Sequence, residues 1–156
     1  MLTHINEDNR PQMVDISQKE MTIRKAIASG TMRIGEKIMQ ELNGQDIYTK
    51  KGPVFATAII AATMAVKKTH EIIPFCHALM LEEIKIDIIP KGRDCLEINC
   101  HITCFGKTGV EMEALTGVHV AALTIYDMCK AMGQEIVVEN IRLLKKSGGK
   151  LNFKRE

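Results

Sequence analysis

The ten residues "CLEINCHITC" (95–104) alternate apolar and polar side chains without interruption. Successive strand residues point to opposite faces, so Leu96, Ile98, Cys100, Ile102 and Cys104 share one side, and the pattern predicts a strand with one buried face. Upstream, "IKIDII" (84–89) alternates in the same way, and "PKGRD" (90–94) supplies the turn between the two. Downstream stands "GKTGVEMEALTG" (106–117), which opens like a phosphate-binding loop. That loop needs Gly-x4-Gly-Lys-Ser/Thr, and the position of its first glycine is His101, so the stretch reads as a turn without a phosphate cradle. "VEMEAL" (110–115) again alternates, which predicts an extended segment with Glu111 and Glu113 on one side. Thr116 is then the expected N-cap of a helix over 117–132, with Val118, Ala121, Ala122, Ile125, Cys129 and Met132 as its apolar face.

The flanks complete the order. "EIVVENIRLL" (135–144) predicts a last strand, followed by the basic, glycine-containing "KKSGGK" (145–150). Residues 34–43 predict a short helix closed by Gly44, and Pro53 is placed as the first residue of a longer helix over 53–69. Residues 17–30 admit two readings: "SQKE" fits a helix capping box, while "TIRKAIAS" alternates as a strand, the reading favoured here. Stripped of the short helix, the order is βαββαβ: an α+β, ferredoxin-like arrangement, an antiparallel sheet with helices on one face. The other sheet face must be covered or stay wet, and an oligomer contact is the natural expectation.

The chain has 156 residues, read as one domain over 1–156 with 1–12 and 147–156 expected to be mobile. A net charge of +2 is too small for bulk electrostatic binding of nucleic acid, and four Phe, two Tyr and no Trp leave little for stacking on bases. The longest apolar run, 52–66, is too short to span a membrane. No secretory signal is evident. Five cysteines without a C-x-x-C pair read as reduced thiols, small core residues rather than metal ligands, and point to the cytoplasm.

Several residues could carry chemistry. Asp127 and Lys130 lie at i, i+3 on a helix, where a carboxylate and an amine shift each other's pKa and can work as an acid/base pair; an exposed pair of this kind is usually without consequence. His77 sits among hydrophobes in "IIPFCHALM", where a structural role is the commoner one. Lys51 precedes a helix N-terminus and, with its free N–H groups, suggests an anion site. Lys146 and Lys150 flank two glycines and suit a phosphate clamp, against the default of a solvated tail. Together these predict one pocket for a small phosphorylated substrate.

The blocks "MVDIS" (13–17), "KGPVFATA" (51–58), "AVKKTHEIIPFCHALM" (65–80), "GKTGVEMEALTG" (106–117), "AALTIYDMCKA" (121–131) and "RLLKKSGGK" (142–150) resemble, in order, the molybdenum-cofactor biosynthesis protein C family, the cyclic pyranopterin monophosphate synthases. The resemblance implies a homohexamer, a trimer of dimers, with sites at a subunit interface. It implies conversion of 3′,8-cyclo-7,8-dihydro-GTP to cyclic pyranopterin monophosphate and diphosphate, without a redox cofactor, and leaves open Mg²⁺ accompanying the triphosphate. On it, Asp127, Lys130, Lys51 and Lys67 match catalytic positions. Phe75, Cys76 and His77 match one substrate-contact segment, Met112 and Glu113 a second, and Glu111 and Lys146 further site positions. The chain departs from the family at Pro53, Ile59 and Ala78, where Asp, Arg and Pro are usual. A non-catalytic nucleotide-binding regulatory module of the same fold is the alternative, separated by binding without turnover. A ferredoxin-like RNA-binding domain would need exposed aromatics on the central strands, and 95–104 has none.

Overall fold

The computed structural model describes Asp8 and residues 10–155. Four long strands form its sheet: β1 (Thr22–Arg33), β5 (Leu81–Lys91), β6 (Cys95–Gly106) and β7 (Val137–Ser147). Their order is β5-β6-β1-β7, antiparallel throughout, with the two-residue β8 (Phe153–Lys154) on the outer edge of β7. Helices α2 (Val54–Lys67) and α4 (Glu111–Cys129) make the two crossovers, which is the ferredoxin-like βαββαβ arrangement. A short helix α1 (Glu36–Met39), a small sheet of β2 (Leu42–Asn43), β3 (Asp46–Thr49) and β4 (Gly52–Pro53), and the one-turn α3 (Thr69–Ile72) fill the connections.

The alternation of β6 does what its pattern demands. Leu96, Ile98, Cys100, Ile102 and Cys104 are each at most 1% exposed, facing the helices, and the intervening residues are half-buried on the open face. β1 offers Ala26, Ala28 and Gly30 to the same side, and these small residues let a helix come close. A Cβ on Gly30 would meet Val118 Cγ1 at 2.8 Å; one on Gly117 would meet Cys100 Sγ at 2.5 Å and Val66 Cγ2 at 3.0 Å. Gly117 is thus the point where α4 touches sheet and α2 together. Because β1 and β6 are antiparallel and each feeds a helix returning across one face, α2 and α4 run in opposite directions.

Local structure differs from the sequence reading in several places. The helix expected over 34–43 shrinks to Glu36–Met39, and the chain turns instead into the β2–β3 hairpin, where Gly44 takes φ 65° in the turn rather than ending a helix. Pro53 is the residue before α2, extended at ψ 127°, not its first helical residue. "SQKE" lies in turns ahead of β1, and the strand reading of this region holds from Thr22. The largest correction concerns residues 110–116. The helix begins at Glu111, not after Thr116, so "EMEAL" (111–115) is helical, Val110 stands at its N-cap, and Thr116 lies inside α4. Glu, Met, Ala and Leu are all strong helix formers, and carboxylates in a first turn complement the helix dipole; both outweigh six residues of alternation.

Gly117→Ala is expected to lower stability, because an overpacking cost of about 1–3 kcal/mol opposes a helix-propensity gain of at most about 1 kcal/mol. Thermal unfolding should show a lower midpoint, and adding Cys100→Ala, which removes the colliding sulfur, should restore part of it.

Candidate active site

The sequence candidates gather at two ends of the helix layer. At the first end, Asp127 near the C-terminus of α4 holds two ammonium groups. Its Oδ2 accepts from Lys51 Nζ at 2.7 Å and its Oδ1 from Lys130 Nζ at 2.8 Å; Lys51 also donates to the Asp127 backbone carbonyl at 2.9 Å. Lys130 and then Lys51, as hydrogen-bond donors, bring the Asp127 carboxyl down to about 2, and Asp127 in turn raises Lys130. All three side chains are more than half exposed, so the cluster adds little to stability. The N–H groups of α2 do not form the anion site expected beside Lys51. Asp46 already fills it, accepting from Phe55 N at 2.7 Å and Ala56 N at 3.0 Å.

At the second end, the helical geometry of residues 111–113 separates the two glutamates by about 200° around the axis. Glu111 points outward, lies against Gly109 and pairs with Lys146 at 3.0 Å. Glu113 points inward and is 5% exposed, and burial raises its carboxyl above the usual range, with the Glu111 charge adding to the effect. The one-sided Glu111–Glu113 pair expected from the sequence therefore does not form. The thiols of Cys76 and Cys104 are raised by their own burial and then by the charge of Glu113, which places both near it. Phe75, Cys76, His77, Met112 and Glu113 line one small cleft of about 280 Å³, roofed by Val14 and Ile16. Lys67 is exposed at the last turn of α2, the end whose Val66 meets Gly117.

Beside that cleft, and sharing Lys19, Thr108, Gly109 and Glu111 with it, lies a larger one of about 730 Å³. Five cations line it (Lys19, Arg24, Lys107, Lys146 and Lys150) against three carboxylates, Asp15, Glu20 and Glu111. The Gly-Lys-Thr-Gly turn, expected to take no part, forms one wall. Its Lys107 Nζ donates to Ser17 O at 2.6 Å, and Arg24 donates from Nε to Gly106 O at 3.2 Å and from Nη2 to Lys107 O at 3.3 Å. Lys19, Arg24 and Lys107 were not singled out by the sequence reading. Arg24 had a signal: it shares the phase of Ala26 and Ala28, a cation on an otherwise apolar face.

Lys146 reaches Glu111 because of a bulge. Ala28 pairs with Leu143, but Ile27 pairs with Lys145, leaving Leu144 as an extra residue. An extra residue exchanges the faces of everything after it. Lys146 is thereby set opposite Ala26 on the helix side, and Lys145 opposite Ile27 on the open side. A second irregularity at Asn140, with φ 56°, lets β7 pass Gly30. Gly148, at φ 88°, then approaches Ile23 so closely that a Cβ would collide with its carbonyl.

A ferredoxin-like α+β domain with a cationic cleft, a buried carboxylate and a lysine–aspartate–lysine cluster has the make-up of a protein that handles a small anionic molecule. The chain belongs to the MoaC family, whose model matches residues 13–149. Among its relatives is the cyclic pyranopterin monophosphate synthase of Helicobacter hepaticus, 49% identical over 157 residues that cover 99% of this chain and 98% of the relative. The molybdenum cofactor biosynthesis bifunctional protein of Synechocystis is 53% identical over 154 residues, and the chain spans 44% of its length. The molybdenum cofactor biosynthesis protein 1 of Drosophila melanogaster is 46% identical over 156 residues, and the chain spans 27% of it. No helix among the described residues is long and apolar enough to cross a membrane.

Two titrations test the electrostatics. Asp127 should remain ionised to a pH of about 2 in NMR, and Lys51→Ala or Lys130→Ala should each move its midpoint up toward 3.8. Because the folded value is depressed, whatever stability Asp127 contributes is present above pH 3.8 and fades as pH falls through about 2. Glu113 has the opposite sign: its raised folded value favours the folded state fully below pH 4.5, and that advantage is lost as pH rises through the folded value. Glu113→Gln should therefore unfold at a higher temperature than the parent at neutral pH, with the gap narrowing as pH falls through the raised folded value and closed below pH 4.5.

Proposed function

We propose that this chain is a cyclic pyranopterin monophosphate synthase of molybdenum cofactor biosynthesis. It would convert 3′,8-cyclo-7,8-dihydro-GTP to the cyclic monophosphate with release of diphosphate. The observation that carries this reading is the end-to-end likeness to the H. hepaticus synthase, at 49% identity across 98% of that protein. The geometry suits it: a five-cation cleft for the triphosphate opens into a smaller cleft closed by Glu113, Cys76 and His77 for the guanine-derived ring. A carboxylate there can accept the ring N–H and exocyclic amine together, a charge-assisted pairing that also offsets the cost of keeping Glu113 ionised in a buried place.

Asp127, Lys130, Lys51 and Lys67 are the proposed catalytic groups. A carboxylate titrating near 2 is a weak base, so Asp127 cannot take a proton efficiently while both lysines hold it. An arriving phosphate oxygen competes for the same ammonium groups. Drawing one away lets the Asp127 carboxyl rise toward the range where proton transfer works. Lys130 is then the conjugate acid that returns the proton as the rings rearrange. In the last step a substrate hydroxyl attacks the α-phosphorus. A P–O bond to that oxygen forms, the bond to the β-phosphate bridge breaks, the hydroxyl proton passes to the base, and lysines stabilise the departing diphosphate. Lys51, Asp127 and Lys130 stand about 24 Å along α4 from Glu111 and Lys146, so a site using both sets needs a second copy. This supports sites at subunit interfaces, as in the homohexamer the family resemblance implies, and the unpaired thiols suit a cytoplasmic setting.

Incubation with the cyclic dihydro-GTP should yield pyranopterin and diphosphate; binding without product would instead favour a non-catalytic regulatory module. Asp127→Ala and Lys130→Ala should each lower kcat by about 10²–10⁴-fold with the assembly intact. Glu113→Gln should weaken substrate binding, and an unchanged affinity would remove the ring-recognition role.

A further inference from the structure

The face of the sheet turned away from the helices carries a hollow of about 270 Å³ that shares no lining residue with either cleft. The pairing register builds it. Lys85 on β5, His101 on β6, Ile27 on β1 and Lys145 on β7 stand opposite one another in a single row across the four strands. The next row holds Glu83, Thr103 and Lys25. Neighbouring strands lie about 4.8 Å apart and successive same-face residues about 6.6 Å apart, so these side chains reach a common point above Ile27. Ile27, half-buried, is the apolar floor. Lys145 is turned to this side by the extra residue at Leu144.

Charge around the hollow is unevenly matched. The carboxylates nearby are already engaged: Glu83 accepts from Thr103 Oγ1 at 3.0 Å, Asp87 pairs with Lys85 at 3.0 Å, and Glu97 accepts from Asn99 Nδ2 at 2.8 Å. Lys25 and Lys145 make no ion pair or side-chain hydrogen bond among the described residues. His101 Nε2 stands 3.9 Å from Asp87 Oδ2, beyond hydrogen-bond reach. Two ammonium groups, each with three donors, and a ring nitrogen therefore converge on the hollow without an acceptor of their own. We propose that it is an anion site for a small inorganic ion of the phosphate class, orthophosphate or diphosphate, held over Ile27 by Lys25 and Lys145 with His101 opposite. Among the described residues no aromatic ring lines the hollow, so a nucleoside finds nothing to stack on. Glu83 on the rim repels any ligand that extends toward β5, which favours a compact ion on the β1–β7 side. Adjacent lysines thus serve two sites on opposite faces of one sheet, Lys146 in the cationic cleft and Lys145 here.

The test uses the full chain carrying Lys146→Ala, which weakens the cleft and isolates the hollow. Orthophosphate or diphosphate is titrated in at constant ionic strength while the His101 ring and Ile27 methyl resonances are followed by NMR. Both resonances should shift and saturate together. Adding Lys25→Gln and Lys145→Gln, two exposed positions, should weaken binding by about tenfold or more with the circular dichroism of the folded chain retained. Glu83→Gln, which removes the repelling rim carboxylate, should tighten it. Lys91→Gln, the loss of one positive charge at the far end of β5, should leave it unchanged. Saturation by either ion supports the site, and the tighter of the two names its ligand. Shifts that do not saturate, that chloride of equal ionic strength reproduces, or that weaken as much with Lys91→Gln as with the Lys25 and Lys145 variants would show a diffuse basic surface and overturn the proposal.

Discussion

The seating of α4 at Gly117 is the constraint on which the other features hang. With no side chain there, the helix backbone rests against Cys100 of the central strand and Val66 of the neighbouring helix at the same point. Close approach fixes the height of α4 over the sheet, and height fixes where its two ends emerge. At the start, Glu113 is pressed into the interior while Glu111 remains at the rim; at the finish, Asp127 clears the sheet far enough to meet Lys51 from the loop before α2. Small residues on β1 complete the fit, and Gly30 leaves room for Ile141 of β7, whose Cγ1 would lie 2.9 Å from a Cβ there.

The electrostatics at the two ends differ in kind. Asp127 is open to solvent, and its low pKa comes from donors, not from burial. Glu113 is shielded, and its raised pKa comes first from losing water, with the Glu111 charge adding to it. The first group is poised to release cations to a competing anion. The second is poised to gain donors from a ligand.

The fold was legible because its strongest signals were periodic. β6 alternates over ten residues with every apolar position buried, and α2 keeps helical spacing from Phe55 to Val66. What misled was short-range alternation: "VEMEAL" satisfies a strand pattern by parity, while its composition favours a helix that the cap-poor Val110 begins. The Asp127–Lys130 contact followed from i, i+3 geometry. The larger cleft did not follow from anything local. It is assembled from the turn at 106–109, the start of β1, residues 15–20 and the end of β7, segments brought together only by antiparallel pairing. The face that Lys146 occupies was hidden as well, since a bulge leaves no reliable trace in hydrophobic pattern.

That bulge gives the lysine doublet at 145–146 a meaning beyond charge. With Leu144 extruded, Lys146 serves the cleft and Lys145 the open face. Were the strand to flatten, continuing the pairing of Ala28 with Leu143, Lys145 would fall opposite Ala26 and take the cleft position itself. Either register sets a lysine opposite Ala26, on the helix side of the sheet. Doubling the lysine makes the site tolerant of a one-residue slip at the sheet margin, a kind of redundancy written into the order of two identical neighbours.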